Sequence, residues 1–125
     1  MIEFAESPDA KAVFYEAYRD CLTPEMEAGF LSRLKTWDAL LLRLNGSDIG
    51  AIACNTPYYH IGILPSWRHK WATKNRLFTI ANLAAARGCT MTQVRTGSPG
   101  EKMVSVVGMT PAKQLAGGCE YAYAA

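Results

Sequence analysis

Apolar residues repeat at two different periods along this chain, and the switches between them lay out its elements. Ile2 to Ala5 reads as a short first strand. Ser7-Pro8-Asp9 then has the make-up of a helix start: serine as N-cap, proline at the first position, an acid in the first turn. The helix is expected to run to about Cys21, with Ala12, Tyr15, Tyr18 and Leu22 on one face. Thr23-Pro24-Glu25 repeats the signal for a second helix, which directs Met26, Phe30, Leu31 and Leu34 inward and ends near Trp37. From Ala39 to Leu44 the period changes to two. Leu40, Leu42 and Leu44 share one face and Leu41 takes the other, as in a strand covered on both sides. Asn45-Gly46-Ser47-Asp48 is a hairpin turn, because Asn-Gly favours positive φ. Ile49 to Cys54 returns, Thr56-Pro57 turns again, and Tyr59 to Leu64 completes an antiparallel meander.

Pro65 ends that third strand of the meander, since proline cannot donate to a sheet ladder. A basic loop follows: Trp67, Arg68, His69, Lys70, Trp71. Leu77, Ile80, Ala81 and Ala84 then recur at helical spacing, and Gly88 closes the helix. Cys89 to Thr96 is rich in β-branched residues and reads as a strand. It follows a crossover helix, so its pairing with the Tyr59 strand is expected to be parallel. Gly97 to Gly100 is a loop, and Glu101 to Val107 is a short helix with Met103, Val106 and Val107 inward, stopped by Gly108 and Pro111. Ala112 to Leu115 and Cys119 to Ala124 are short strands around Gly117-Gly118. The order is β-α-α-β-β-β-α-β-α-β-β. It implies an α/β chain (an α+β mixed sheet), mostly antiparallel with one parallel pair, in a single domain over residues 1–125.

Composition narrows the function classes. Half of the 125 residues are hydrophobic and 19% are charged, which places the chain among folded globular proteins rather than disordered ones. No apolar run approaches the length of a membrane span, and the acidic start MIEFAESPDA lacks the features of a signal peptide. The expected setting is the cytoplasm, or the interior of a particle such as a virion, with no membrane contact. Cys21, Cys54, Cys89 and Cys119 are far apart, with no zinc-type spacing. They are expected to be reduced, mostly buried thiols, and no metal site is expected.

The net charge of +2 conceals a strong asymmetry. Residues 1–38 hold eight acids and four bases, a balance of −4, whereas residues 39–125 hold nine bases and three acids, a balance of +6. Arg68, Lys70, Lys74 and Arg76 fall within nine residues, and no Asp or Glu occurs between Asp48 and Glu101. A strand, a cationic loop and a helix N-terminus in succession are a common way to hold phosphate. Basic side chains at a helix start oppose the macrodipole, which favours a bound anion over a solvated loop. Phosphate, nucleic acid or an acidic protein surface would each suit the patch. A junction of this kind that binds nothing stands as the alternative.

The element order resembles the GNAT superfamily of N-acetyltransferases over essentially the whole chain. Two stretches carry the resemblance. Leu64-Pro65-Ser66-Trp67-Arg68-His69-Lys70, ahead of a helix ending in Ala-Arg-Gly, is similar to the family's strand, proline, aromatic and Arg-Gly-x-Gly loop. Val107-Gly108-Met109-Thr110-Pro111 is similar to its leucine-glycine-phenylalanine-x-proline stretch. The resemblance implies an acetyl-CoA pyrophosphate cradle over Arg68, His69, Lys70, Trp71, Ala72 and Thr73. The family's glycine or small positions fall on His69, Trp71 and Thr73, and an indole stands where bare backbone would approach the cofactor. The position of the family's usual tyrosine acid is Val104, which cannot donate a proton. His60 is the one plausible base on the middle strands, and a lone histidine there is more often a structural hydrogen-bonder.

These departures imply a degenerate member that keeps the fold without the chemistry, needs no cofactor, and serves as a structural or interaction module. Small acetyltransferase-like proteins of tailed phages, some of them virion components, are similar in this respect. The contact surface would then be Trp67, Arg68, Lys70, Trp71, Lys74 and Arg76, toward a protein partner or a second copy of the chain. Two other readings stay open. One is an active acetyl-CoA-dependent N-acetyltransferase with an atypical loop, using His60 or a water as base. The other is a nucleic-acid-binding module whose tryptophans stack on bases. Tyr58, Tyr59, Tyr121 and Tyr123 could supply hydroxyls or be ordinary core or surface aromatics, and whether the last two end on an exposed edge strand is left open.

Overall fold

A computed structural model describes residues 1–124. Seven strands form one mixed sheet in the order β1-β2-β3-β4-β5-β7-β6: β1 (Ile2–Ala5), β2 (Asp38–Leu44), β3 (Ser47–Asn55), β4 (Tyr58–Ile63), β5 (Met91–Arg95), β6 (Thr110–Leu115) and β7 (Gly118–Ala122). The expected mixed sheet with one parallel pair, β4 with β5, is therefore present. The residues divide into two compact units, Met1–Asn55 with Ile61–Trp71, and Thr56–His60 with the residues from Ala72 onward.

In the first unit β2 is central. It pairs antiparallel with β1 from Ile2↔Leu44 to Ala5↔Leu41, and with β3 from Asp38↔Cys54 to Leu44↔Ser47. Leu40, Leu41 and Leu42 are all buried, so both faces of β2 are covered, as the leucine pattern predicts. Helix α1 (Ala10–Tyr18) lies on β2 and β3 and continues into a tight turn, Arg19–Cys21. Its fully buried residues are Ala10, Phe14 and Ala17; of the expected Ala12, Tyr15, Tyr18 and Leu22, the last three are half-buried and Ala12 is exposed. The reason is close approach: a Cβ on Gly62 of β4 would lie 3.0 Å from the Ala17 Cβ and 3.2 Å from Phe14 Cδ1. Alanine against glycine lets the helix sit low on the sheet, with the Tyr18 ring also against Gly62.

Helix α2 (Pro24–Leu34) buries only Leu34 fully, whereas Met26 and Leu31 are exposed. It is anchored instead through Phe30, which stacks nearly parallel to Phe14 at 5.8 Å and tilts against Tyr15 and Tyr18. The Tyr18 hydroxyl donates to the Ile61 carbonyl at 2.7 Å, and burial pushes its pKa up to about 12. It therefore remains a neutral donor across the physiological range.

In the second unit β5 pairs with β4 in a single register pair, Tyr58↔Met91, and one residue on the Tyr59 carbonyl accepts from the Thr92 hydroxyl. β5 and β7 run antiparallel from Met91↔Ala122 to Arg95↔Gly118, and β6 closes the order outside β7. The strand carrying Tyr121 is thus interior to the sheet, and β6 forms the edge. Helix α3 (Lys74–Ala86) buries Leu77, Ile80, Ala81 and Ala84 as its spacing predicts. Helix α4 (Pro99–Val106) starts at Pro99 and buries Val104, with Val107 just beyond it, while Met103 and Val106 are half-buried. Cys54 and Cys89 are buried, Cys119 is half-buried, and Cys21 is exposed.

Candidate functional site

The Leu64 amide still donates to Ile49, and Pro65–Trp67 then forms a single tight turn that ends the strand. Arg68 follows in extended conformation and reaches back to the first unit's own α1. Its guanidinium donates from Nη1 to Asp20 Oδ2 at 2.6 Å, and from Nη2 to Asp20 Oδ1 at 2.9 Å and the Ala17 carbonyl at 2.7 Å. Asp20 stands on the turn after α1. The hydrogen bond from Arg68 holds its carboxyl well below the usual range, at about 2. The same pair raises the guanidinium further above its ordinary value. A carboxylate thus fills the planar donor fork that elsewhere holds phosphate.

His69 adopts φ +66°, a left-handed conformation uncommon outside glycine. Its side chain and that of Lys70 are exposed, and Trp67 is half-buried. Trp71 is 2% exposed, among the largest fully buried side chains. Its expected role as an exposed contact residue is therefore corrected: the indole is core, and the loop is anchored by it.

In the second unit Thr73 is the N-cap of α3, and its hydroxyl accepts from the Arg76 amide at 3.2 Å. One of the helix-start N–H groups that would face an anion already has its acceptor. Ala72 and Lys74 are exposed and Arg76 is half-buried. The six residues expected to cradle a pyrophosphate thus comprise one arginine already neutralised, one hydroxyl already used, one buried indole and three exposed residues.

Glu120 is a residue that the sequence reading leaves out. It is the buried charged residue among those described, at 6% exposure on β7. The Tyr58 hydroxyl donates to its Oε1 at 3.0 Å, and the Gln93 amide donates to the same oxygen at 2.9 Å. Three strands of the second unit meet at this carboxylate. The Gln93 hydrogen bond leads in lowering its pKa, with Tyr58 and the Lys113 charge adding to it against the effect of burial. Tyr58 is correspondingly raised. At neutral pH the arrangement is an anion with two neutral donors. An acid inside the otherwise apolar run Cys119 to Ala124 was the available signal. The Tyr123 hydroxyl donates to Asn82 at 2.8 Å, so it too is engaged. His60 is half-buried on β4, and Val104 is buried.

Among the described residues no cluster of His, Cys, Asp or Glu could hold a metal ion, and no helix is long and apolar enough to cross a membrane. No protein-family model matches the chain, and no curated protein matches it. Solved structures do. A GCN5-related N-acetyltransferase from Rhodopseudomonas palustris shares 15% identity at TM-score 0.59, over 100% of this chain and 95% of its own. The PaiA N-acetyltransferase of Thermoplasma acidophilum, in complex with coenzyme A, shares 13% at TM-score 0.58, over 98% of each chain. YncA of Salmonella typhimurium, a putative acetyltransferase with its cofactor acetyl-CoA, shares 14% at TM-score 0.61, over 98% of this chain and 90% of its own. The chain therefore has the GNAT fold.

Proposed function

We propose that this GNAT-fold chain performs no acetyl transfer and serves as a structural or interaction module, within the cytoplasm or a particle such as a virion. The observation that carries this reading is the state of Arg68. Its donor fork is occupied by Asp20 and the Ala17 carbonyl, so a pyrophosphate would have to displace them. Val104, where the family resemblance calls for a tyrosine, is apolar and buried, and supplies no acid. The exposed part of the basic stretch, His69 and Lys70 beside half-buried Trp67, suits an acidic face of a protein partner or of a second copy. Calorimetric titration with coenzyme A and acetyl-CoA tests the reading. No heat at millimolar ligand is expected, and micromolar binding would overturn it.

A second reading, an acetyl-CoA-dependent N-acetyltransferase, is favoured by one observation. His69 holds a glycine-like backbone at a position where the family resemblance places glycine, so the loop takes that conformation without glycine there. PaiA and YncA, which share the fold, were solved with coenzyme A and acetyl-CoA. The same titration decides between the two.

A further inference from the structure

The chain's acidic first third and its basic loop are not independent features: they meet at Asp20 and Arg68, 48 residues apart. Ion pairs on protein surfaces are commonly single contacts between mobile side chains. This one is two-pronged, with both carboxylate oxygens on the two terminal nitrogens, and a third bond to the Ala17 carbonyl fixes the guanidinium plane. Both groups remain partly in solvent, at 32% and 55% side-chain exposure, so a competing anion can reach them. The two residues after Arg68, His69 and Lys70, are exposed and carry no acidic neighbour in the sequence. Asp20 is thus an acid of the same unit bonded to this cationic stretch.

We propose that Asp20 is a built-in counter-ion that keeps phosphoryl ligands off Arg68, and that removing its charge opens an oxyanion site on Arg68 with Lys70 beside it. A carboxylate and a phosphoryl group take the same two parallel N–H donors, so they are alternative occupants of one fork. The inference rests on the non-transferring reading above and gives its cause: the loop is closed by an internal anion. Aspartate to asparagine keeps the size of the side chain and leaves a neutral acceptor near the Ala17 carbonyl.

The test is titration of wild type, Asp20→Asn and the double variant Asp20→Asn/Arg68→Met with inorganic pyrophosphate and with coenzyme A, at low and at physiological salt. Asp20→Asn is expected to bind pyrophosphate at least about tenfold more tightly than wild type, the gain vanishing in the double variant and shrinking with salt. Equal affinity in wild type and Asp20→Asn overturns the proposal, as does a gain that survives loss of Arg68. If Asp20→Asn does not fold, Asp20→Ser takes its place under the same criteria. Tight coenzyme A binding by wild type would instead overturn the non-transferring reading, so the two failures are distinct. Pyrophosphate separates a general phosphoryl site from one that needs the rest of the nucleotide.

Discussion

The hydroxyl of Tyr58 on β4 donates to the buried carboxylate of Glu120 on β7, 62 residues away, at 3.0 Å. Gln93 on the intervening β5 donates to the same oxygen, so one charge fastens three strands of the second unit. A buried acceptor left without its donors, or donors left without their acceptor, is costly. Glu120→Gln is therefore expected to lower the melting temperature by several degrees, and Tyr58→Phe by less, since Gln93 remains. The pH dependence follows from the lowered pKa of Glu120. Its contribution is fully present above the ordinary glutamate value of 4.5 and is lost as pH falls through the lower folded value. The stability gap between wild type and Glu120→Gln should accordingly narrow in acid. Thermal melts of both proteins from pH 7 to pH 3 check this; a gap independent of pH would mean that the carboxylate's charge plays no part.

Gly50 and Gly62 face different obstacles, and alanine should separate them. A Cβ on Gly50 would lie 2.0 Å from the Gly62 carbonyl oxygen and 3.0 Å from the Ile63 Cα, all backbone. Backbone in a paired strand cannot move aside cheaply, so Gly50→Ala should cost more than ~3 kcal/mol. A Cβ on Gly62 would meet Ala17, Tyr18 and Phe14 side-chain atoms at 3.0 to 3.2 Å, where α1 can lift slightly. Gly62→Ala should cost ~1–3 kcal/mol. Urea unfolding of the two variants gives the order, and equal losses would contradict it.

Much of this architecture is legible in the sequence because its signals are local. Pro65 after an apolar strand, helical spacing from Leu77 to Ala84, and leucines on both faces of β2 each announce one element. The fully buried positions of α1 were not legible, because a hydrophobic pattern ranks Tyr15 above Ala10 and Ala17. What decides that face is the match of small residues to Gly62, a fact about β4 rather than about the helix. Glu120 was missed for a similar reason: its partners stand on other strands, and an acid alternating with apolar residues reads as solvent-facing. The Arg68 loop was legible as basic, but its counter-ion on a distant turn was not.

Trp71 and Lys70 are neighbours with opposite environments, one 2% exposed and the other at the surface. Truncating a buried tryptophan loses both transfer energy and packing, so Trp71→Ala should destabilise the fold by ~3–5 kcal/mol. Lys70→Ala should stay within ~0.5 kcal/mol of wild type, as surface changes usually do. Chemical unfolding distinguishes them. For any partner of the basic stretch, the informative substitution is thus at Lys70, since loss of binding on changing Trp71 would report unfolding.

His69 provides the last test, because its conformation and its residue type disagree. An L-residue at φ +66° carries a strain of ~1–2 kcal/mol that glycine does not. Glycine also raises the entropy of the unfolded chain, which removes ~0.5–1 kcal/mol of the gain. The side chain is exposed, so little packing is lost with it. His69→Gly should thus be neutral or stabilising by up to ~1 kcal/mol, whereas His69→Val, β-branched and poorly suited to this region, should be destabilising. Urea titrations of the three proteins decide the matter. If glycine weakens the fold by more than ~1 kcal/mol, the imidazole itself holds the loop, and the turn at residue 69 is set by its side chain rather than by the anchoring of Arg68 and Trp71 on either side.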